Sequence, residues 1–244
     1  MLLTFILGLI TGSFLNVCIY RIPSNKSILY PPSSCGACGH RLGFADMIPV
    51  VNYIFNGGKC RYCKEEYSLQ YPLIELANAV LYTLIYIVYG FSFEALFFSI
   101  ISSMLIVIAV IDLRNMIIPD SILIFGACVA VLYILVLRSS LIDSIIGCGT
   151  GLALFLVIAL LTGAMGGGDI KLMALLGFIF GIRGVLFITV LSFVTGAAVS
   201  ALLMVLKIKD RKDMIPFGPF ISSAALLYIF YGGRLIDFYL TLFD

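Results

Sequence analysis

Residues 161–177 read LTGAMGGGDIKLMALLG, and they interrupt a long apolar part of the chain with three glycines, an aspartate and a lysine. Glycine in a helix interior costs about 1 kcal/mol relative to alanine, so Gly166, Gly167 and Gly168 predict a break between two helices. An ionisable residue such as Asp169 is costly within a membrane and marks a functional position there. The role of this break depends on whether the flanking apolar runs cross a bilayer.

The composition is that of a membrane protein. Of the 244 residues, 62% are hydrophobic and only 11% are charged, and the mean hydropathy is +1.15. Soluble chains carry about 25% charged residues. The sequence therefore predicts an all-α polytopic membrane protein. A formal net charge of +2 is too small to indicate nucleic acid as a partner.

Apolar runs between polar breaks predict about eight transmembrane helices, since a helix needs about 20 apolar residues to cross a bilayer. The break at Gly166–Asp169 separates the fifth from the sixth. The first run has no basic segment before it and no small-residue cleavage site after it, which predicts a retained helix and not a signal peptide. The predicted spans are 2–20, 72–90, 93–111, 121–137, 141–162, 170–182, 184–206 and 215–231.

The basic residues predict the orientation. If residues 21–71 are cytosolic, twelve lysines and arginines lie in cytosolic loops and three in outer loops, as the positive-inside rule requires. Both termini are then expected outside. The cytosolic set is Arg21, Lys26, Arg41, Lys59, Arg61, Lys64, Arg114, Lys171, Lys207, Lys209, Arg211 and Lys212, and the outer set is Arg138, Arg183 and Arg234.

The one long polar segment contains two C-x-x-C pairs, in SSCGACGHRLGF and GGKCRYCKEEYS. Zinc binds four thiolates in a tetrahedron, so this spacing predicts a structural zinc site. A disulfide pairing is disfavoured in the reducing cytosol, and thiol redox chemistry is a further alternative. His40, the one histidine, is expected to lie beside the site or to be exposed, with ligation of the metal as the alternative. The predicted ligands are Cys35, Cys38, Cys60 and Cys63.

These features predict three parts of the chain. Residues 1–20 form the first transmembrane helix, and residues 21–71 form a small cytosolic zinc-binding insert. Residues 72–244 form a seven-helix membrane domain.

Two aspartates are predicted at the cytosolic ends of separate spans, because Asp112 ends the third span and Asp169 precedes the sixth. Neighbouring carboxylates share a proton, so one can take a proton from water while the other polarises a peptide carbonyl. This is the chemistry of an aspartic protease. Helix dipoles favour Asp169 as the base and Asp112 as the acid. The alternative for Gly166–Asp169 is a plain turn between helices, capped by Asp169.

The motifs resemble those of the type IV prepilin peptidases. GGGDIKL matches the G-x-G-D signature of that family, and DLRNMIIPD is similar to its other aspartate motif. Further motifs and the four cysteines follow in the family's order over essentially the whole chain. The motifs lie at 166–172 and 112–120, with GSFLNVCIYRIP at 12–23 and YPLIELANA at 71–79.

The resemblance implies a bacterial cell-membrane endopeptidase in which Asp112 and Asp169 are the catalytic pair. It implies cleavage of prepilin or pseudopilin leaders after a glycine, at the cytosolic face and within membrane lipid. Bacterial members are typically also N-methyltransferases that use S-adenosylmethionine, and the cysteine-bearing insert is tied to that activity. Asn16 and Glu75 are candidates for contacts to the methyl donor, and a substrate amine is an alternative partner for Glu75. The motif loop is Gly166, Gly167, Gly168 and Lys171.

Two other classes of protein are consistent with parts of the sequence. A proton- or cation-coupled transporter would use paired acids with glycines that unwind a helix, although such sites normally lie near the midplane between repeated halves. A membrane scaffold would use the zinc insert to bind a partner and would leave both aspartates without a role. The pilus, secretion or DNA-uptake system and the oligomeric state do not follow from the sequence.

Overall fold

The computed structural model describes residues 1–43, 45–137, 140–163, 165–208, 210 and 214–241. Apart from two isolated β-bridges, these residues form helices, turns and loops, so the all-α prediction is confirmed. Among the described residues, six helices are long and apolar enough to cross a membrane. The last helix begins with a shorter apolar part, Gly218–Gly232. Of the residues counted for orientation, Arg138, Lys209, Arg211 and Lys212 lie outside the described residues.

The helices follow the predicted apolar runs closely. One short helix and a single 3-10 turn, Ala45–Met47, lie in the polar insert. The helices are α1 Leu2–Arg21, α2 Val51–Phe55, α3 Gln70–Tyr89, α4 Phe93–Asn115, α5 Asp120–Leu137, α6 Leu141–Thr162, α7 Gly167–Val205 and α8 Gly218–Thr241.

Contacts divide the chain into two compact units, Met1–Val107 and Ile108–Asp244. The first unit contains α1, the insert, α3 and most of α4, and the second contains the end of α4 and the remaining helices. Both aspartates of the candidate pair belong to the second unit, and all four candidate zinc ligands belong to the first. The predicted division at residues 20 and 71 concerns function and stays a prediction.

In the first unit, α1 and α3 pack with their backbones in close approach. A Cβ atom at Gly8 would lie 2.5 Å from the Cα atom of Ala79, and one at Gly12 would lie 2.7 Å from the Cα atom of Glu75. Glycine at a helix interface permits such an approach, which van der Waals packing then stabilises within a membrane. The Asn78 amide crosses this interface and donates to the Gly8 carbonyl at 2.8 Å.

In the second unit, α7 is too long for one crossing. Its 39 residues would extend about 58 Å as a straight helix, against an apolar core of about 30 Å. Gly181 interrupts it with a φ of 69° and a ψ of −170°. The break frees the backbone N–H of Ile182, which donates to the carboxylate of Asp143 at 3.3 Å.

The contacts with α6 show that α7 reverses direction at this break. Near the start of α6, Asp143 contacts Ile182, whereas further along α6 the ring of Phe155 lies 5.9 Å from that of Phe193. The segment after Gly181 therefore runs parallel to α6, while the segment before it runs antiparallel. These two segments correspond to the predicted spans 170–182 and 184–206, so the helix count is roughly eight as predicted.

The antiparallel pair of α6 and the first segment of α7 depends on facing glycines. A Cβ atom at Gly147 would collide with the backbone of Gly177 and of Gly181. A Cβ atom at Gly151 would collide with the backbone of Met173. Since backbone atoms cannot rotate away, any side chain here must push the two helices apart.

Gly147→Ala is accordingly expected to lower the free energy of unfolding by about 2–3 kcal/mol, the upper part of the range for overpacked positions. Gly149→Ala is the matched control on the same helix, because a Cβ atom there meets nothing within 4 Å. We expect that control to be neutral or to stabilise α6 slightly, owing to alanine's higher helix propensity. Thermal unfolding of the detergent-solubilised variants measures both, and equal effects would contradict the proposed helix contact.

Candidate active site

Asp112 lies three residues before the end of α4 and is only 5% exposed. One of its carboxylate oxygens accepts a hydrogen bond of 2.8 Å from the backbone N–H of Gly218, the first residue of α8. A Cβ atom at Gly218 would lie 2.7 Å from that oxygen. A glycine at this position therefore lets the helix N-terminus approach the carboxylate.

Asp169 is the third residue of α7 and is 8% exposed. Its Oδ2 atom accepts a hydrogen bond of 3.2 Å from the backbone N–H of Gly166, and the Asp169 N–H donates to the Gly166 carbonyl at 3.1 Å. Among the described residues, its Oδ1 atom is buried and has no hydrogen-bond partner. The N-cap of α7 is Gly166, so the alternative that Asp169 is itself the N-cap is wrong. Asp169 is the third residue of the capping box, which uses one carboxylate oxygen and leaves the second free.

The two carboxylates belong to one compact unit and are close enough to interact electrostatically. Packing also links their segments, since a Cβ atom at Gly168 would lie 2.9 Å from the Cβ atom of Ile118. Ile118 belongs to the loop that follows α4, and Gly168 directly precedes Asp169. This contact holds the beginning of α7 against the segment that carries Asp112.

The three consecutive glycines have different surroundings. Gly168 packs against Ile118, whereas a Cβ atom at Gly167 would meet no atom of the described residues within 4 Å. Gly166 is extended, with a φ of −76° and a ψ of 152°, and precedes the helix. The open space at Gly167 is consistent with the predicted approach of an extended peptide, which stays a prediction.

Lys171, the last residue of the predicted motif loop, forms an ion pair with Asp120. The ammonium lies 2.7 and 2.9 Å from the two carboxylate oxygens, and both side chains are exposed. A groove of about 560 Å³ between α5 and α7 opens beside this pair. Lys171 and Asp120 both line the groove, whereas Asp112 and Asp169 do not. The assignment of Lys171 to the motif loop stays a prediction.

The four predicted zinc ligands are brought together in the insert. Their sulfur atoms all lie within 4.8 Å of one another, and the Sγ atoms of Cys35 and Cys63 are 3.8 Å apart. A tetrahedral zinc with bonds of about 2.3 Å places its sulfur ligands about 3.8 Å apart. The cysteines are free thiols, not disulfides. The donor set therefore fits a zinc ion.

The two C-x-x-C turns share one backbone design. The Cys35 N–H donates to the His40 carbonyl at 2.9 Å, and the Cys60 N–H donates to the Glu65 carbonyl at 2.7 Å. The fourth residue after each of these cysteines, Gly39 and Lys64, has a positive φ, of 69° and 63°. The same turn occurs twice, so each turn presents two sulfur atoms to a common centre.

Electrostatics at the cluster also favour a cation. Hydrogen bonds from the backbone of Cys63, the Tyr67 side chain and the backbone of Tyr62 lower the pKa of the Cys60 thiol to about 6. A backbone hydrogen bond at Glu65 acts in the same direction on Cys63, but burial and the neighbouring thiols raise the pKa of Cys63 to about 12. The neighbouring thiols thus oppose a negative charge on Cys63, and a cation bound among the four sulfur atoms would favour that charge. The His40 ring stacks on Tyr62 at 3.6 Å and is not one of the clustered ligands.

The two candidate methyl-donor contacts lie on adjacent helices of the first unit. Asn16, on α1, is 4% exposed and donates from its amide to the Tyr71 carbonyl of α3 at 3.1 Å. Glu75, on α3, is 7% exposed and accepts a hydrogen bond of 2.8 Å from the backbone N–H of Val50. Among the described residues, the Oδ1 atom of Asn16 is buried and has no hydrogen-bond partner. Contact of Asn16 and Glu75 with a methyl donor stays a prediction.

Two residues at the carboxylate pair were not predicted from the sequence. Gly218 binds Asp112, and Ile118 packs on Gly168. The stretch FGPF at 217–220 does mark the start of the last helix with a glycine and a proline, but nothing local associates it with an aspartate more than one hundred residues earlier.

Two family models match most of the chain. The bacterial Peptidase A24 N-terminal domain matches residues 6–89, and the type IV leader peptidase family matches residues 99–201. No solved structure matches.

Similar proteins are described as prepilin leader peptidase/N-methyltransferase. The protein of Bacillus subtilis (strain 168) is 35% identical over 240 residues, which cover 98% of this chain and 97% of that protein. The Xanthomonas campestris protein is 30% identical over 264 residues, covering 96% and 92%. The Pseudomonas aeruginosa protein is 30% identical over 279 residues, covering 98% and 93%. The similarity thus extends over nearly the full length of both partners.

Proposed function

Because the chain belongs to the type IV leader peptidase family, we propose that it is a membrane aspartic endopeptidase that removes the leader from prepilin or pilin-like precursors. The names of the similar proteins support a second activity, N-methylation of the residue that cleavage exposes. The relatives' names give no support to the transporter alternative. The system that this enzyme serves is left open.

The observation that carries the peptidase proposal is the pair of buried carboxylates in one unit. Asp112 and Asp169 are the catalytic residues, each held by one glycine backbone N–H. The pair holds one proton in its working state, because two adjacent carboxylates do not both ionise readily. The ionised member takes a proton from the attacking water, and the protonated member donates to the peptide carbonyl oxygen.

The roles of acid and base cannot be assigned from helix dipoles. Asp112 was expected to favour its neutral form because it ends α4. In the fold it also lies at the N-terminus of α8, where the helix dipole favours a negative charge. Asp169 lies at the N-terminus of α7 in the same way. The proton is therefore assigned to the pair, and the unpartnered Oδ1 atom of Asp169 is the position at which water or substrate can hydrogen-bond.

The insert and the cytosolic ends of α1 and α3 carry the methyl-transfer activity. S-adenosylmethionine, when bound, supplies a methyl group on a positively charged sulfur. The buried Glu75 carboxylate and the free Asn16 Oδ1 atom fit a cationic or hydrogen-donating group, which supports placing the transfer here. Zinc bound by Cys35, Cys38, Cys60 and Cys63 holds the insert in shape.

The insert and the carboxylate pair lie on the cytosolic side of a bacterial cell membrane, and both termini lie outside. The excess of lysine and arginine in the loops assigned to the cytosol supports this orientation. In this arrangement residues 1–20 anchor the insert, residues 21–71 serve methyl transfer and residues 72–244 carry the protease.

One reaction tests the proposal. The protein in lipid nanodiscs is incubated with a synthetic prepilin N-terminal segment and S-adenosylmethionine, and the product masses are measured. Loss of the leader together with the gain of one methyl group is expected. Cleavage without methylation would contradict the proposed methyltransferase activity. Failure to cleave any of several leader sequences would contradict the peptidase proposal.

A further inference from the structure

The most unusual feature outside the carboxylate pair is a buried acid in the first unit that has no cation beside it. Glu75 is 7% exposed and lies five residues inside α3, about 7.5 Å along the helix axis from its first residue. Lys59 pairs with Glu66 and Lys171 pairs with Asp120, and no basic side chain of the described residues forms an ion pair with Glu75. A buried charge is costly unless it is paired and hydrogen-bonded, so a charged Glu75 lacks a cationic partner.

The partners that Glu75 does have are neutral. The Val50 backbone donates to its Oε2 atom at 2.8 Å, and the Ser13 side chain of α1 forms a further hydrogen bond. Val50 has a φ of 61°, which is rare for a β-branched residue. The insert thus adopts a strained backbone at the point where it touches this carboxylate. Such strain is characteristic of functional sites.

A second buried polar group without a hydrogen-bond partner lies on α1, one helical turn from the Ser13 residue that bonds Glu75. Asn16 follows Ser13 by three residues on α1, and its amide bonds the carbonyl of Tyr71, four residues before Glu75 on α3. Its Oδ1 atom is buried and without a partner. The junction of α1, α3 and the insert therefore offers one carboxylate and one amide oxygen, both acceptors, to a group that supplies N–H donors and a positive charge.

We propose that Glu75 and Asn16 bind the free α-amino group of the cleaved polypeptide and position it for methylation. The inference rests on the proposed methyltransferase activity. Before cleavage this nitrogen is part of a peptide bond, so the site distinguishes product from precursor. Glu75 lies near the N-terminal end of α3, and the expected product begins directly before its own apolar helix, so we expect both groups near one end of a membrane helix.

The chemistry requires an acceptor for one proton. An ammonium nitrogen has no lone pair, so the amine must first transfer a proton to the Glu75 carboxylate. The nitrogen lone pair then forms the bond to the methyl carbon while the carbon–sulfur bond of the sulfonium donor breaks, and its electron pair remains on sulfur. The Asn16 Oδ1 atom accepts a hydrogen bond from an N–H that remains on the amine. This contact orients the nitrogen lone pair toward the methyl carbon.

The test measures binding without a methyl donor. Two peptides with the mature product sequence are compared in nanodiscs, one with a free α-amine and one acetylated. The wild type is expected to bind the free amine about tenfold or more tightly, as for a charged hydrogen bond in a buried site. Glu75→Gln should reduce this preference to about twofold or less, since the amide oxygen still accepts from Val50 but carries no charge.

Matched variants separate this role from a structural one. Glu66→Gln also removes a negative charge from the first unit, but its side chain is 79% exposed, and it should retain the preference. Glu75→Asp keeps the negative charge on a shorter side chain and should retain part of the preference for the free amine. A wild-type preference that persists in Glu75→Gln would overturn the proposal and leave Glu75 as an anchor for the insert.

Methylation of the pre-cleaved peptide distinguishes this failure from a failure of the proposed function. Equal methylation rates in the wild type and in Glu75→Gln would support the methyltransferase activity and contradict the amine site. No methylation by the wild type would contradict the proposed methyltransferase activity itself. Retained amine preference in Glu66→Gln together with its loss in Glu75→Gln supports the site.

Discussion

Asp169→Asn and Asp112→Asn are each expected to reduce cleavage of a prepilin segment by about 10³-fold or more, since each removes one member of a general acid–base pair. Asparagine is the appropriate replacement because it preserves shape. Its amide oxygen can still accept from Gly166 at position 169, or from Gly218 at position 112, so the helix N-termini keep their caps. The double variant should be hardly worse than either single variant, because residues that act as a unit are not additive.

Asp120→Asn provides the matched control. Asp120 is also an aspartate at the end of a membrane helix, but its carboxylate is exposed and pairs with Lys171. An exposed ion pair is worth about 0–1 kcal/mol, so this variant should cleave within about fivefold of the wild type. Cleavage rates follow from product masses over time. Residual activity above about a tenth of wild type in either Asp112→Asn or Asp169→Asn would contradict their catalytic assignment.

Cys60→Ser is expected to remove the metal and with it the methyltransferase activity. Cys60 is fully buried in the cluster, and its replacement leaves three thiolates and a weak hydroxyl ligand. Structural zinc contributes about 10–16 kcal/mol of apparent binding free energy in small zinc domains, which is enough to decide whether the insert folds. Zinc content should fall from about one ion per chain to about a tenth of that, and methylation should fall about tenfold or more.

Cleavage should survive this change to within a few-fold, because the carboxylate pair belongs to the other compact unit. Cys128→Ser is the control, since Cys128 is exposed on α5 and lies outside the cluster. Elemental analysis of the purified proteins gives the zinc content, and product masses give the two activities. A wild-type protein that carries no metal after purification with zinc would refute the zinc assignment.

The two activities place different demands on the fold. In the proposed function, proteolysis uses the two carboxylates of the second unit, Asp112 and Asp169. Methyl transfer is assigned to the first unit, where the proposed amine site contains the buried acid Glu75. The proposal therefore places one chemistry in each compact unit, and the four clustered cysteines of the insert belong to the first unit.

Much of the fold could be predicted because a membrane selects for composition over lengths of about 20 residues. The predicted ends of the α6 span, 141 and 162, coincide with the ends of the helix. The break at Gly166–Asp169 was predicted because glycine and an ionisable residue are both unfavourable in an apolar helix. The cysteine cluster was predicted because each C-x-x-C pair is local, so its spacing already determines two of the four ligand positions.

The surroundings of Asp112 could not be predicted from its neighbours along the chain. From the sequence, Asp112 appeared only as the end of α4, since its neighbours along the chain are those of a helix C-terminus. Its strongest partner, Gly218, lies 106 residues later. A hydrogen bond of this kind depends on how α8 packs, and no local pattern encodes it.

The sequence by itself determined the membrane-spanning character, the approximate spans, the four cysteines that cluster and the candidate aspartates. Each of these follows from the chemistry of residues close together in the chain. Only the tertiary structure decided the reversal at Gly181, the approach of Gly218 to Asp112 and the isolation of Glu75. These depend on contacts between distant segments, where backbones meet only because particular side chains are absent. Burial, unlike composition, is a property of the packed molecule, and only the packed molecule shows that the Glu75 carboxylate is enclosed.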